Sequence, residues 1–98
     1  MGEIKMNIIE VTRQITRLKN LLSLPTTDVS WSKYNSAEDA IKDLDDIEKG
    51  LKELDENSVD RLYILLAPTS SLQEISINSG WSQEFLDIAI VLEKAIGK

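Results

Sequence analysis

A chain of 98 residues has room for one domain, and at that size it buries roughly two thirds of the surface its unfolded form exposes. Its 42 % hydrophobic and 29 % charged residues exclude intrinsic disorder and the collagen-like and mucin-like classes. A net charge of −6 with no cysteine and no histidine excludes disulfides, Cys/His zinc sites, cysteine nucleophiles and every triad that needs an imidazole base.

The first element is the clearest. Ile4, Ile8, Val11, Ile15, Leu18 and Leu22 recur at alternating spacings of four and three, one apolar stripe on a helix expected to run to about Leu24 before Pro25 stops it. Residues 25–35 mix Pro, Thr, Asp, Ser and Asn with Trp31 and Tyr34, which predicts a connection with at most one helical turn, folded back as a lid on the core. Ser36 reads as an N-cap for a second helix through Ala40, Leu44, Ile47, Leu51 and Leu54, with Ile41 widening the stripe and Gly50 weakening the helix.

Asn57 and Ser58 predict a break, with Ser58 capping a third helix from Val59 to about Ala67. That helix is apolar on most of its circumference and is expected to be the most buried, and Pro68 ends it. Thr69, Ser70 and Ser71 offer caps for a short fourth helix through Leu72 and Ile75, closed by Gly80 in the left-handed conformation. The alternation of Gln73, Ile75 and Ile77 also fits a strand, but a lone strand has no sheet to join, so helix is preferred. Ser82 is expected to cap the last helix, with Phe85, Ala89, Leu92 and Ile96 as its stripe. The fold expected is all-α, a compact four- or five-helix bundle forming a single domain over residues 1–98.

Charge is unevenly spread. Residues 1–24 carry Lys5, Arg13, Arg17 and Lys19 against Glu3 and Glu10, whereas residues 38–56 carry nine acids against Lys42, Lys49 and Lys52. Acid-first pairs at i, i+4, Glu38 with Lys42, Asp45 with Lys49 and Glu48 with Lys52, account for part of that as helix stabilisation. They leave Asp39, Asp43 and Asp46 as an unpaired ridge, suited to steering and docking a basic protein, with Trp31 or Tyr34 as an exposed aromatic anchor. Asp43, Leu44, Asp45 and Asp46 lie in a helical pattern without the spacing of a calcium loop, so no metal or other cofactor is expected. The serines have cap and turn roles and no histidine partner, so a non-enzyme is expected.

Ile75 and small Ser76, Gly80 four residues on, then Trp81, Ser82 and Leu86 as an inward residue resemble a helix-turn-helix. The resemblance implies a DNA reader whose second helix presents Ser82, Gln83, Glu84 and Asp87. Between Pro68 and Glu93 there is no Lys or Arg to meet phosphate, so the motif is read as a packing device and nucleic acid is an unfavoured partner. The longer string from Ala67, Pro68 and Thr69 through Leu72, Gln73, Glu74 and Ile75 to Gly80 and Trp81 resembles one in small bacterial helical proteins. That resemblance implies a bacterial host and makes Gln73, Glu74 and Trp81 the first places to look for a site.

Three functions stand at this point. The first is a small acidic cytoplasmic module that binds a basic protein, in the manner of an immunity protein or antitoxin, an analogy of size, charge and helix content. The second is a structural homodimer paired through the heptad-like seam of the first helix. The third is a helix-turn-helix-like regulator. The longest apolar run, from Leu62 to Ala67, is far short of the roughly 20 residues a membrane helix needs, and Met6 stands where a myristoylation signal takes Ser or Thr.

Overall fold

In the computed structural model, residues 6–30 and 32–97 are described. They form five helices, α1 (Ile8–Leu22), α2 (Ala37–Lys52), α3 (Glu56–Leu65), α4 (Ser71–Ser79) and α5 (Ser82–Ala95). A radius of gyration of 12.8 Å matches the roughly 13 Å of a compact domain this long. The expected all-α bundle is what the chain builds, and Leu72 to Ile77 are helical.

The central helix is α1, which packs on both α2 and α5. Its Val11, Ile15, Leu18 and Leu22 are fully buried, as the stripe predicts, while Ile4 lies outside the described residues. Both neighbours run antiparallel to it. The start of α1 meets the end of α5 through the Asn7 amide and Ala95 carbonyl (2.9 Å) and its end lies beside Glu84 at the start of α5, while Ile8 and Thr12 adjoin Lys52 at the end of α2 and Lys19 meets Asp45 and Glu48 earlier in it. The seam residues Val11, Ile15, Leu18 and Leu22 are thus covered by α2 and α5 of the same chain, while Ile8 is partly buried.

Caps set most boundaries. Asn7, Ser36 and Ser70 accept the amides of Glu10, Asp39 and Gln73 at 3.1, 3.2 and 3.1 Å. Two expected caps are displaced. Asp55, not Ser58, caps α3 by accepting the Asn57 amide, and α5 starts after Trp81 with no side-chain cap, so Ser82 is already helical.

The α2–α3 junction explains the first displacement. Here α2 stops at Lys52, short of Leu54, and the chain turns through Leu54 at φ +59°. The Asp55 amide reaches the Gly50 carbonyl (2.9 Å) and the Leu54 amide the Leu51 carbonyl (3.0 Å), the paired bonds of a Schellman ending. The same bonding ends α4 at Gly80, φ +82°, a position suited to glycine. At the first ending α3 folds back so tightly that a methyl group on Gly50 would lie 1.8 Å from Ser58 Oγ and 2.8 Å from Ser58 Cβ. Gly50 is thus the contact point of two helices and not simply a weak link in one.

The expectation that α3 is the most buried helix does not hold. Val59, Leu62 and Leu65 face inward, but Tyr63 and Ile64 are 45 % and 64 % exposed, because α3 packs on α2 and lightly on α4 and leaves its outer side uncovered. The segment before α2 forms the expected lid. The Asp28 amide donates to Ser79 Oγ (2.7 Å) and the Lys33 amide to Ser71 Oγ (3.1 Å), so it is tied to both ends of α4 while Val29 and Tyr34 pack against the core. Trp31 lies outside the described residues.

Candidate interaction surface

The acidic ridge of α2 is not unpaired. Arg61, projecting from α3, donates from Nη2 to Asp43 and from Nη1 to Asp46 (2.8 Å), a fork across two carboxylates one turn apart. Asp43 also accepts the Tyr34 hydroxyl at 2.7 Å, and Lys33 Nζ stands 3.9 Å from it. Only Asp39 of the three has no ion pair among the described residues. The interhelical partner was invisible to i, i+4 reasoning, since Arg61 lies 18 and 15 residues from its acids.

Of the three i, i+4 pairs expected along α2, Glu48 with Lys52 forms (3.7 Å); Glu38 with Lys42 and Asp45 with Lys49 do not. Asp45 turns instead to Lys19 of α1, which also reaches Glu48 at 2.9 Å. Burial alone would lower the pKa of Lys19, but its hydrogen bonds to Asp45 and Glu48 and their charges outweigh it and hold the ammonium above its ordinary value. Arg61 is likewise raised, first by its bond to Asp46, against a smaller desolvation effect.

Tyr34 is half-buried and is not an exposed anchor. Burial first, then its bond to the Asp43 carboxylate, pushes the phenol well above its ordinary range, because ionising it would place a second negative charge against Asp43. The ring also carries the Lys33 ammonium 5.2 Å from its centroid.

Gln73, Glu74 and Trp81 do not converge on a site. Gln73 lies in the first turn of α4, where its carbonyl accepts the Ser76 hydroxyl (2.7 Å), and Glu74 is exposed. Trp81 is 3 % exposed and fills the core beside α4 and α5, with Nε1 buried and without a hydrogen-bond partner. The helix-turn-helix likeness survives as packing, through fully buried Ser76 and left-handed Gly80. Leu86, expected inward, is 45 % exposed instead, since Phe85, Ile88 and Leu92 fill the inner face of α5.

Internal pairing leaves Glu38, Asp39, Glu53 and Glu56 outside any ion pair among the described residues, beside the equally unpaired Lys42 and Lys49, and it leaves a second acidic set on the α4–α5 half. Glu74, Glu84 and Asp87 are exposed and Glu93 half-exposed, and none of the four is in an ion pair among the described residues. Ile77, Leu86 and Ile90 in the same half are 54 %, 45 % and 56 % exposed. The stripe read for α5 leaves out Ile90, the helix-turn-helix resemblance places Leu86 inward, and Ile77 of α4 enters only through its alternation with Gln73 and Ile75.

Concave features are modest. A cavity of about 200 Å³ beside Lys33, Asp43 and Arg61 is smaller than an ordinary ligand pocket, and the larger groove along Ile8, Ile9, Thr12 and Lys52 is open and offers few polar groups. Among the described residues no three His, Cys, Asp or Glu side chains are grouped to hold a metal ion, and no helix is long and apolar enough to cross a membrane. No family model, curated protein or solved structure matches the chain.

Proposed function

We propose that the protein is a non-catalytic binding module for a basic protein, acting in the cytoplasm in the manner of an immunity protein or antitoxin. The observation that carries this reading is the uncompensated acidic surface of the α4–α5 half. It combines four carboxylates outside any ion pair among the described residues with exposed Ile77, Leu86 and Ile90, and no Lys or Arg lies between Pro68 and Glu93 in the sequence. Carboxylates already held by Arg61 or Lys19 must give up an ion pair to meet a partner, whereas these four give up none among the described residues, only the hydrogen bond from Gln83 to Asp87. A surface of one sign speeds capture of the opposite sign, and apolar groups within it supply the desolvated contacts that hold the complex. The absence of cysteine suits a reducing compartment such as the cytoplasm. The same field disfavours a DNA-reading role for α5, which would bring Glu84 and Asp87 toward phosphate.

The test is affinity capture with the wild-type chain and with a Glu74→Gln, Glu84→Gln, Asp87→Asn, Glu93→Gln variant, followed by identification of the captured proteins. Basic proteins held by the wild type and released both by the variant and by added salt are expected. Capture of the same proteins by both chains, or of acidic proteins, rejects the proposal.

A further inference from the structure

We infer that the outer face of α5 is the docking surface and that its occupant is a cationic amphipathic helix. This rests on the proposed function for the sign of the partner and adds where, and in what conformation, the partner binds. The helix spans 14 residues, about 21 Å, and its inner face is closed by Phe85, Ile88 and Leu92, which are fully buried. On the outer side Leu86 and Ile90 are one turn apart, so their side chains adjoin in a short apolar ridge. At about 100° per residue, Glu93 falls on one side of that ridge, and Asp87 with Gln83, hydrogen-bonded to it at 3.2 Å, on the other. By the same rule Lys94 falls on the Asp87 edge, one turn beyond Ile90, so the strip carries one base at its C-terminal end, and Arg17 of α1 lines a hollow with Glu84 at the other end of the helix.

Charge complementarity selects the occupant. A second copy brings two further acids, Asp87 and Glu93, for its one Lys94, and an anionic lipid surface or nucleic acid meets both acids with like charge. A basic segment gains from both edges of the ridge. Its conformation follows from the backbone. Among the described residues there is no strand and hence no sheet edge to satisfy the amide and carbonyl groups of an extended peptide. A helical segment arrives with those groups already bonded and needs only an apolar stripe for Leu86 and Ile90, flanked by Lys or Arg for Asp87 and Glu93.

The test is an amide-resolved NMR titration of the full chain with a leucine–lysine peptide of about 18 residues whose leucines fall on one helical face, beside a peptide of the same composition in scrambled order. The expected result is shifts centred on Gln83, Leu86, Asp87, Ile90 and Glu93 and a gain of helix in the peptide. A Leu86→Ser, Ile90→Ser variant is expected to bind at least about tenfold more weakly with an unchanged urea midpoint, since both side chains are exposed. Shifts centred on Asp39, Asp43 and Asp46 reject the α5 surface and leave the basic-partner reading standing. Equal affinity for the scrambled peptide rejects the helical occupant. No response to either peptide rejects the inference and the proposed function together.

Discussion

Replacing Gly50 with alanine sets two effects of known sign against each other. Within a helix, alanine is favoured over glycine by about 1 kcal/mol, and Gly50 lies inside α2. The added methyl group meets Ser58 Oγ at 1.8 Å and Ser58 Cβ at 2.8 Å. The hydroxyl can swing aside, at the cost of its hydrogen bond to Asp55 (3.3 Å), but Cβ is fixed to the α3 backbone and moves only if α3 does. Overpacking of this kind costs about 1–3 kcal/mol and a weakened buried hydrogen bond adds about 1 kcal/mol. Against the helical gain, Gly50→Ala is expected to destabilise the fold by about 1–3 kcal/mol, or a fall in Tm of roughly 4–8 °C per kcal/mol for a domain of this size. Urea unfolding followed by circular dichroism reads the difference directly. On a Ser58→Gly background both opposing atoms are gone, so the same substitution is expected to become neutral or stabilising. A single Gly50→Ala chain more stable than wild type by about 1 kcal/mol would refute the contact argument and leave propensity in charge.

The Schellman ending of α2 makes the reverse prediction at Leu54. Leu54 sits at φ +59° with 64 % of its surface exposed, so Leu54→Gly is expected to raise stability by about 0.5–1 kcal/mol, read as a higher urea midpoint; a loss would show that the side chain matters more than its backbone. Arg61→Ala is expected to cost about 1 kcal/mol and Arg61→Lys roughly half of that, with both differences shrinking in high salt because the guanidinium is partly exposed. Salt-independent losses would point to packing of the arginine stem instead. For Tyr34, the native state keeps a proton that the unfolded chain releases near the ordinary phenol value of about 10, so stability falls as pH rises through that value. Lys19, also raised, contributes in the same window: its stabilisation is complete below the unfolded value and is lost as pH rises. Urea stabilities measured on either side of pH ~10 are expected to fall less steeply in Tyr34→Phe, by up to about one proton's worth of slope. Identical slopes would show that neither burial nor Asp43 holds the phenol's proton in the native state.

Much of this architecture is local and was therefore legible. The stripes of α1 and α2, the caps at Ser36 and Ser70 and the left-handed Gly80 each depend on residues within a turn or two of one another and stand where the spacing put them, save that α1 ends at Leu22, short of Leu24, and α2 at Lys52, short of Leu54. The errors came where two segments compete for one function. Ser58 reads as a cap because serine before an apolar run usually is one, yet it is buried against Gly50 while Asp55 takes the first amides of α3. Leu86 reads as inward because it belongs to a helix-turn-helix pattern, yet Phe85 and Ile88 already fill that side of α5.

For the candidate surface, sequence determined the amount and sign of the charge, and tertiary structure decided which of it is free. The acids of α2 are the densest in the chain, and within one helix Asp39, Asp43 and Asp46 have no base left to meet. Once the α2–α3 turn brings Arg61 across to Asp43 and Asp46, and antiparallel packing brings Lys19 to Asp45 and Glu48, most of that negative charge is neutralised internally. Glu74, Glu84, Asp87 and Glu93 are sparser in sequence, but among the described residues the packing brings no base into ion-pair contact with them, so they remain open to a partner. Helix formation and the sign of the net charge follow from near neighbours along the chain and from composition. The location of a binding surface depends on cancellation between charges many residues apart, which exists only when the helices are packed.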